Sequence, residues 1–105
     1  MKTLTPGHKY ELENFEAKGK PGQVIQFIEK VQSPNGPTGQ LDTVNDGTTN
    51  EEVLKMLIDR CQSLYDKFPS EETACSIGHL KSALYAQQSR TYERMRRGVE
   101  GKHLK

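Results

Sequence analysis

Two hydrophobic periods divide this 105-residue chain. Between residues 9 and 44, apolar side chains alternate with polar ones or stand in short runs, which is the period-2 habit of strands. Residues 10–15 (YELENF), 24–31 (VIQFIEKV) and 40–44 (QLDTV) carry it. In the second stretch Ile25 and Phe27 take one face, and Val24, Gln26 and Ile28 the other. The breaks at residues 18–22 (KGKPG) and 33–37 (SPNGP) suit hairpin loops, because Gly and Pro set turn geometry. Three strands joined by short loops predict a small antiparallel sheet.

Past Asn45-Asp46-Gly47 the period becomes helical. Thr49 suits an N-cap, with Glu52 completing a capping box, and Glu51 and Glu52 complement the helix dipole. Val53, Leu54, Leu57, Ile58, Cys61, Leu64, Tyr65 and Phe68 then form one stripe at 3.6-residue spacing. Pro69 ends that helix and Ser70 caps the next. The second stripe, of Ala74, Ile77, Leu80, Leu84, Thr91 and Met95, is thinner, and Gly98 is a terminator. Helices over residues 50–67 and 71–97 predict an antiparallel hairpin. At 1.5 Å per residue the two run about 27 and about 40 Å, so about eight or nine residues of the second overhang the first. That overhang takes in Thr91, Tyr92 and Met95, whose apolar surface calls for cover from another subunit.

The class is therefore α+β, a small N-terminal antiparallel sheet followed by a long C-terminal antiparallel helical hairpin. One structural domain is expected, with a β portion at residues 1–48 and the hairpin with its basic tail at 49–105. Composition adds to the case for a homo-oligomer. Only 32% of residues are hydrophobic, none is Trp, and the mean hydropathy is −0.82, so one chain is short of core material. A net charge of +1 argues against a general nucleic-acid coat. No apolar run reaches the length of a membrane span, and the N-terminus has no charged-then-apolar signal segment, so a soluble cytoplasmic protein is expected. Cys61 and Cys75 read as ordinary thiols, with a disulfide across the hairpin the alternative. His8, His79 and His103 show no ligand spacing, so neither metal nor cofactor is expected.

Charge is concentrated at the C-terminal end. Residues 89–105 carry Arg90, Arg94, Arg96, Arg97, Lys102 and Lys105 against Glu93 and Glu100, a surplus of four. Arg90, Arg94 and Arg97 fall at i, i+4 and i+7 on one helical side. Arginine forks suit phosphate, so the row is a candidate anion site; a dipole-compensating helix end is the plainer reading. Tyr85 and Tyr92, a heptad apart, suit base stacking or a subunit contact. The polar loop at residues 46–50 leads into a helix N-terminus, where an anion or simple capping would use its donors. Cys75 and His79, one turn apart, lack a third orienting group for catalysis.

Residues 46–54 (DGTTNEEVL), 57–60 (LIDR), 67–69 (KFP), Arg90-Thr91, 97–101 (RGVEG) and His103 together resemble the phage anti-defence sponges. The Thoeris anti-defence sponge, which shares its hairpin with the smaller anti-CBASS sponge, is the nearest in pattern. Residues 10–12 (YEL), Asn14-Phe15 and 26–30 (QFIEK) resemble that family's sheet portion, so the likeness runs along nearly the whole chain. It implies a small phage protein, in the cytoplasm of an infected bacterium, that binds an immune signal without cleaving it. Those signals are cyclic ADP-ribose isomers and cyclic di- or trinucleotides. The resemblance further implies protomers that pair and then form hexamers, with ligands enclosed between subunits.

Carried over by position, Arg90 and Arg94 match the family's ligand-gripping pair, with Arg97 one turn on. Ser63 stands where relatives commonly have an aromatic residue, and Thr73 where they commonly have Asn. Losing the aromatic removes a stacking platform, and losing the amide removes a two-way hydrogen-bonding group. Either the ligand preference differs, or nearby Tyr65 supplies part of the platform. The expected partners are a cyclic nucleotide signal and further copies of this chain, with no membrane and no nucleic acid. Two rival readings are an inhibitory module docking on a host protein, and a nucleic-acid binder using the basic tail.

Overall fold

The strand period is realised over five strands rather than three. In the computed structural model, which describes residues 1–98, the order is β1 (Lys2–Thr5), β2 (Lys9–Leu12), β3 (Gln23–Gln26), β4 (Glu29–Gln32), β5 (Leu41–Asn45), α1 (Asn50–Lys67) and α2 (Glu71–Arg96). Lys102, His103, Lys105 and residues 99–101 of the RGVEG motif lie outside the described residues. The chain divides into two compact units, Met1–Thr49 and a second from Asn50 onward.

Within the first unit, β1, β2 and β3 form an antiparallel sheet in that order, and β4 pairs antiparallel with β5 in a second, two-stranded sheet. Tyr10 lies opposite both Thr3 and Ile25, which puts the three on one face. The Tyr10 ring meets the Phe27 ring edge-on at 6.1 Å, an arrangement favoured by the ring quadrupoles.

Two expectations need correcting here. The strand at residues 10–15 stops at Leu12, because Asn14 turns the chain: its Nδ2 donates to the carbonyls of Ala17 (3.2 Å), Lys20 (3.4 Å) and Pro21 (3.1 Å). Phe15 is left 90% exposed. The single strand at residues 24–31 is two. Around Phe27 the chain changes partners: Phe27 N–H donates to His8 C=O at 2.6 Å, and Ile28 N–H to Thr48 C=O at 2.9 Å. A strand-like pattern of apolar and polar positions cannot reveal such a change of neighbour. The expected small antiparallel sheet is present as β1-β2-β3, where β1 adds an exposed edge with no apolar alternation of its own, and β4-β5 forms a further antiparallel pair.

The helices fall where their period placed them. Ser70 caps α2 in an extended conformation, accepting from Thr73 N–H at 3.1 Å and donating to Thr73 Oγ1 at 2.9 Å. At the other end Gly98 takes φ +73, a left-handed turn that only glycine adopts freely, and its N–H closes on Met95 C=O at 3.0 Å. Between the caps, the inward face of α2 is Thr73, Ile77, Leu80, Leu84, Gln87, Thr91 and Arg94, at alternating spacings of four and three. On α1 the matching face is Glu51, Leu54, Ile58, Cys61 and Tyr65. This is the seam spacing of an antiparallel coiled-coil-type pair. Ile77 is buried, whereas Leu54, Ile58, Leu80 and Leu84 are only half-buried. Full burial of such a side chain contributes about 1.5–3 kcal/mol, and these four realise only part of it.

Candidate functional site

The basic end of α2 is built on a seam that turns polar. Towards its C-terminus the inward stripe passes from Ile77, Leu80 and Leu84 to Gln87, Thr91 and Arg94. Gln87 Oε1 accepts from Asn50 Nδ2 at 3.3 Å, and Thr91 Oγ1 donates to Glu51 Oε2 at 3.1 Å. These bonds fix the first turn of α1 against the last turns of α2. The expected overhang is therefore shorter. Thr91 is not part of it, since it lies level with Glu51, and the free end of α2 runs over residues 92–96. Tyr92 and Met95 on the free end are exposed, as expected.

The three arginines read as one row differ in environment. Arg90 is exposed, one turn before Arg94, which is only 9% exposed. Arg97 is the C-cap, its backbone N–H bonded to Glu93 C=O at 3.1 Å, and its side chain is exposed. Arg96 is engaged locally: Nε and Nη2 donate to the Glu93 carboxylate, at 3.2 and 2.5 Å. That hydrogen bond holds the Glu93 carboxyl below its usual range and raises the Arg96 guanidinium above its own. Arg90 and Arg97 thus remain as solvent-facing guanidinium groups, with Arg94 set into the seam between them.

The other expected site residues lie elsewhere on the hairpin. Thr73 sits in the cap of α2, seventeen residues before Arg90, or about 26 Å along the axis. Ser63 is exposed near the C-terminal end of α1, and Tyr65 is half-buried on the seam face. Two residues of α-helix turn about 200°, so Tyr65 leaves the helix on a different side from Ser63. One protomer therefore brings Arg90, Arg94 and Arg97 together but does not bring Thr73, Ser63 or Tyr65 to them. Glu51 and Gln87 were not singled out in the sequence. The signal for Gln87 was present, as a polar residue in phase with the seam, while Glu51 read only as a dipole-compensating acid.

The loop before α1 uses its own donors. Asp46 Oδ1 accepts from Gly47 N–H at 2.9 Å, Thr48 N–H donates to Gln26 C=O at 2.9 Å, and Asp46 C=O accepts from Gln26 Nε2 at 2.9 Å. A turn within the loop and contacts to Gln26 thus engage these groups. Cys61 and Cys75 are free thiols. Among the described residues no three His, Cys, Asp or Glu side chains are grouped to hold a metal, and no helix is long and apolar enough to cross a membrane.

Fold and site together define a small α+β protein whose helical hairpin ends in an arginine-bearing tip. No protein-family model matches the chain. Among curated proteins it is similar to Thoeris anti-defense 1 of Bacillus phage SBSphiJ7, 38% identical over 79 aligned residues. The alignment takes in 64% of this chain and 56% of the relative, so the chain spans little more than half of that protein's length. The Thoeris anti-defence resemblance read from the residues is thus matched by a named relative.

Proposed function

We propose that this protein is a phage anti-defence sponge, acting in the cytoplasm of the infected bacterium. It binds a cyclic nucleotide immune signal, a cyclic ADP-ribose isomer or a cyclic di- or trinucleotide, and releases it unaltered. The observation that carries the reading is the arginine tip, on a chain similar to an anti-defence protein. Arg90 faces solvent beside Arg94, with Arg97 one turn on, where phosphates would meet forked donors. Ser63, Thr73 and Tyr65 lie too far along the hairpin to share a ligand with Arg90 in one protomer. In this reading a second copy brings them to it, and the assembly is a homo-oligomer, a hexamer in the complete form. Sequestration asks for slow release rather than turnover, which enclosure between subunits provides. No catalytic group has a part in it.

The test is capture and release. Protein is mixed with a panel of cyclic ADP-ribose isomers and cyclic di- and trinucleotides, freed of unbound ligand, and heated. The expected outcome is one panel member recovered intact. A cleaved product would make the protein an enzyme, and depletion of nothing would favour the protein-docking module. Arg90→Ala should lower affinity by roughly 1.5–3 kcal/mol, about one to two decades, as one charge-assisted contact is lost. Arg90→Ala with Arg94→Ala should abolish capture, with circular dichroism checking that the hairpin stays helical. Undiminished affinity in the double variant would remove these arginines from the site.

A further inference from the structure

We propose that Asn35 is a site of spontaneous covalent modification, at which the carboxamide is converted to Asp or isoaspartate through a cyclic imide. The chain has four asparagines, and the fold treats them unequally. Asn14 Nδ2 bonds to three carbonyls, Asn45 Nδ2 to Glu29 Oε1 at 3.2 Å, and Asn50 Nδ2 to Gln87 Oε1 at 3.3 Å. Asn35 is exposed in the bend between β4 and β5, and its side chain has no hydrogen-bond partner among the described residues. It is also the only asparagine followed by glycine.

The bend that holds this glycine is tied at both ends, by Ser33 N–H to Gln40 C=O at 2.9 Å and by Gln40 N–H to Pro37 C=O at 3.0 Å. A Cβ at position 36 would collide with Gln40 Oε1 and come within 2.8 Å of Ser33 Oγ. Gly36, exposed and without a side chain, puts the least hindered kind of backbone nitrogen next to an unrestrained carboxamide. The Gly36 nitrogen, having given its proton to solvent, attacks Asn35 Cγ. The new C–N bond closes the imide as the Cγ–Nδ2 bond breaks, and ammonia leaves with a proton from water. Water then opens the imide at either carbonyl, giving Asp or isoaspartate. By contrast Asp46, also followed by glycine, has its carbonyl held by Gln26, and its carboxylate is a poorer electrophile at neutral pH.

The consequence exceeds one residue because the chain is nearly neutral. Its formal net charge of +1 at pH 7 becomes zero when Asn35 turns acidic. Purified full-length protein, held in mildly alkaline buffer and sampled over days, should accumulate one acidic isoform on isoelectric focusing. Its rate should rise in proportion to hydroxide. Peptide mapping should place the change at Asn35, and Asn35→Gln should suppress the isoform while leaving the circular dichroism spectrum unchanged. The proposal is overturned if no acidic isoform forms, if Asn35→Gln protein forms it at the wild-type rate, or if mapping places the change at another asparagine.

Discussion

A few polar side chains close turns that the backbone would otherwise leave open. The Asn14 amide is one: its Nδ2 donates to three carbonyls of the following loop and holds them around one point. Asn14→Ala should destabilise the N-terminal unit by about 0.5–1.5 kcal/mol, the usual net contribution of a hydrogen bond that solvent can replace. A lower urea midpoint with an unchanged slope would register it. Ser70 has a comparable task at the start of α2, and Ser70→Ala should cost about 1 kcal/mol in the same measurement. The Glu93–Arg96 pair adds a pH dependence of known sign. The folded carboxyl is held below its usual range, so its contribution is fully present above the unfolded glutamate value. It is lost as pH falls through the folded one. Glu93→Gln should lower the Tm slightly at neutral pH, and the difference should vanish in strong acid; because the pair is exposed, a large effect would contradict this account.

At the level of elements, the hairpin shows why periodicity carried so far and no further. Both helices, the Ser70 cap and the Gly98 stop were legible, because each is written in local spacing and local chemistry. The strands were harder to place. Phe27 and Ile28 belong to one apolar run but answer to different partners, His8 and Thr48, and only the fold reveals that division. In the candidate site, the arginine row was legible as a helical side, whereas the burial of Arg94 comes from its being in phase with the seam, which Arg90 and Arg97 are not. The polar end of the seam follows the same logic. Gln87 holds a half-buried position that an apolar residue would fill more favourably, bonded to an exposed Asn50 that solvent can satisfy. Gln87→Leu should therefore raise hairpin stability by about 1 kcal/mol, read as a higher thermal midpoint of the helical signal. A lower midpoint would mean that the Asn50–Gln87 bond is worth more than the apolar surface it displaces.

At the scale of the whole molecule, the question is what covers the apolar surface left in solvent. Phe68, Tyr85, Tyr92 and Met95 are each more than 60% exposed, all on the hairpin, while Ile77 is its only buried apolar side chain among the described residues. Isolated apolar residues on a surface are ordinary; two tyrosines a heptad apart, followed by Met95 on the free end of α2, make a more continuous surface. A formal net charge of +1 gives little self-repulsion to oppose association. In the homo-oligomer proposed above, this surface is where copies meet. Tyr92→Ser with Met95→Ser should then shift sedimentation from the oligomer to smaller species. The helical circular dichroism should persist, since neither side chain is buried within the protomer. Ligand capture should fail along with assembly, because Thr73 and Ser63 would no longer reach the arginines. Retained capture by a dissociated protomer would mean that the arginine tip binds alone, and that the pocket does not require a second copy.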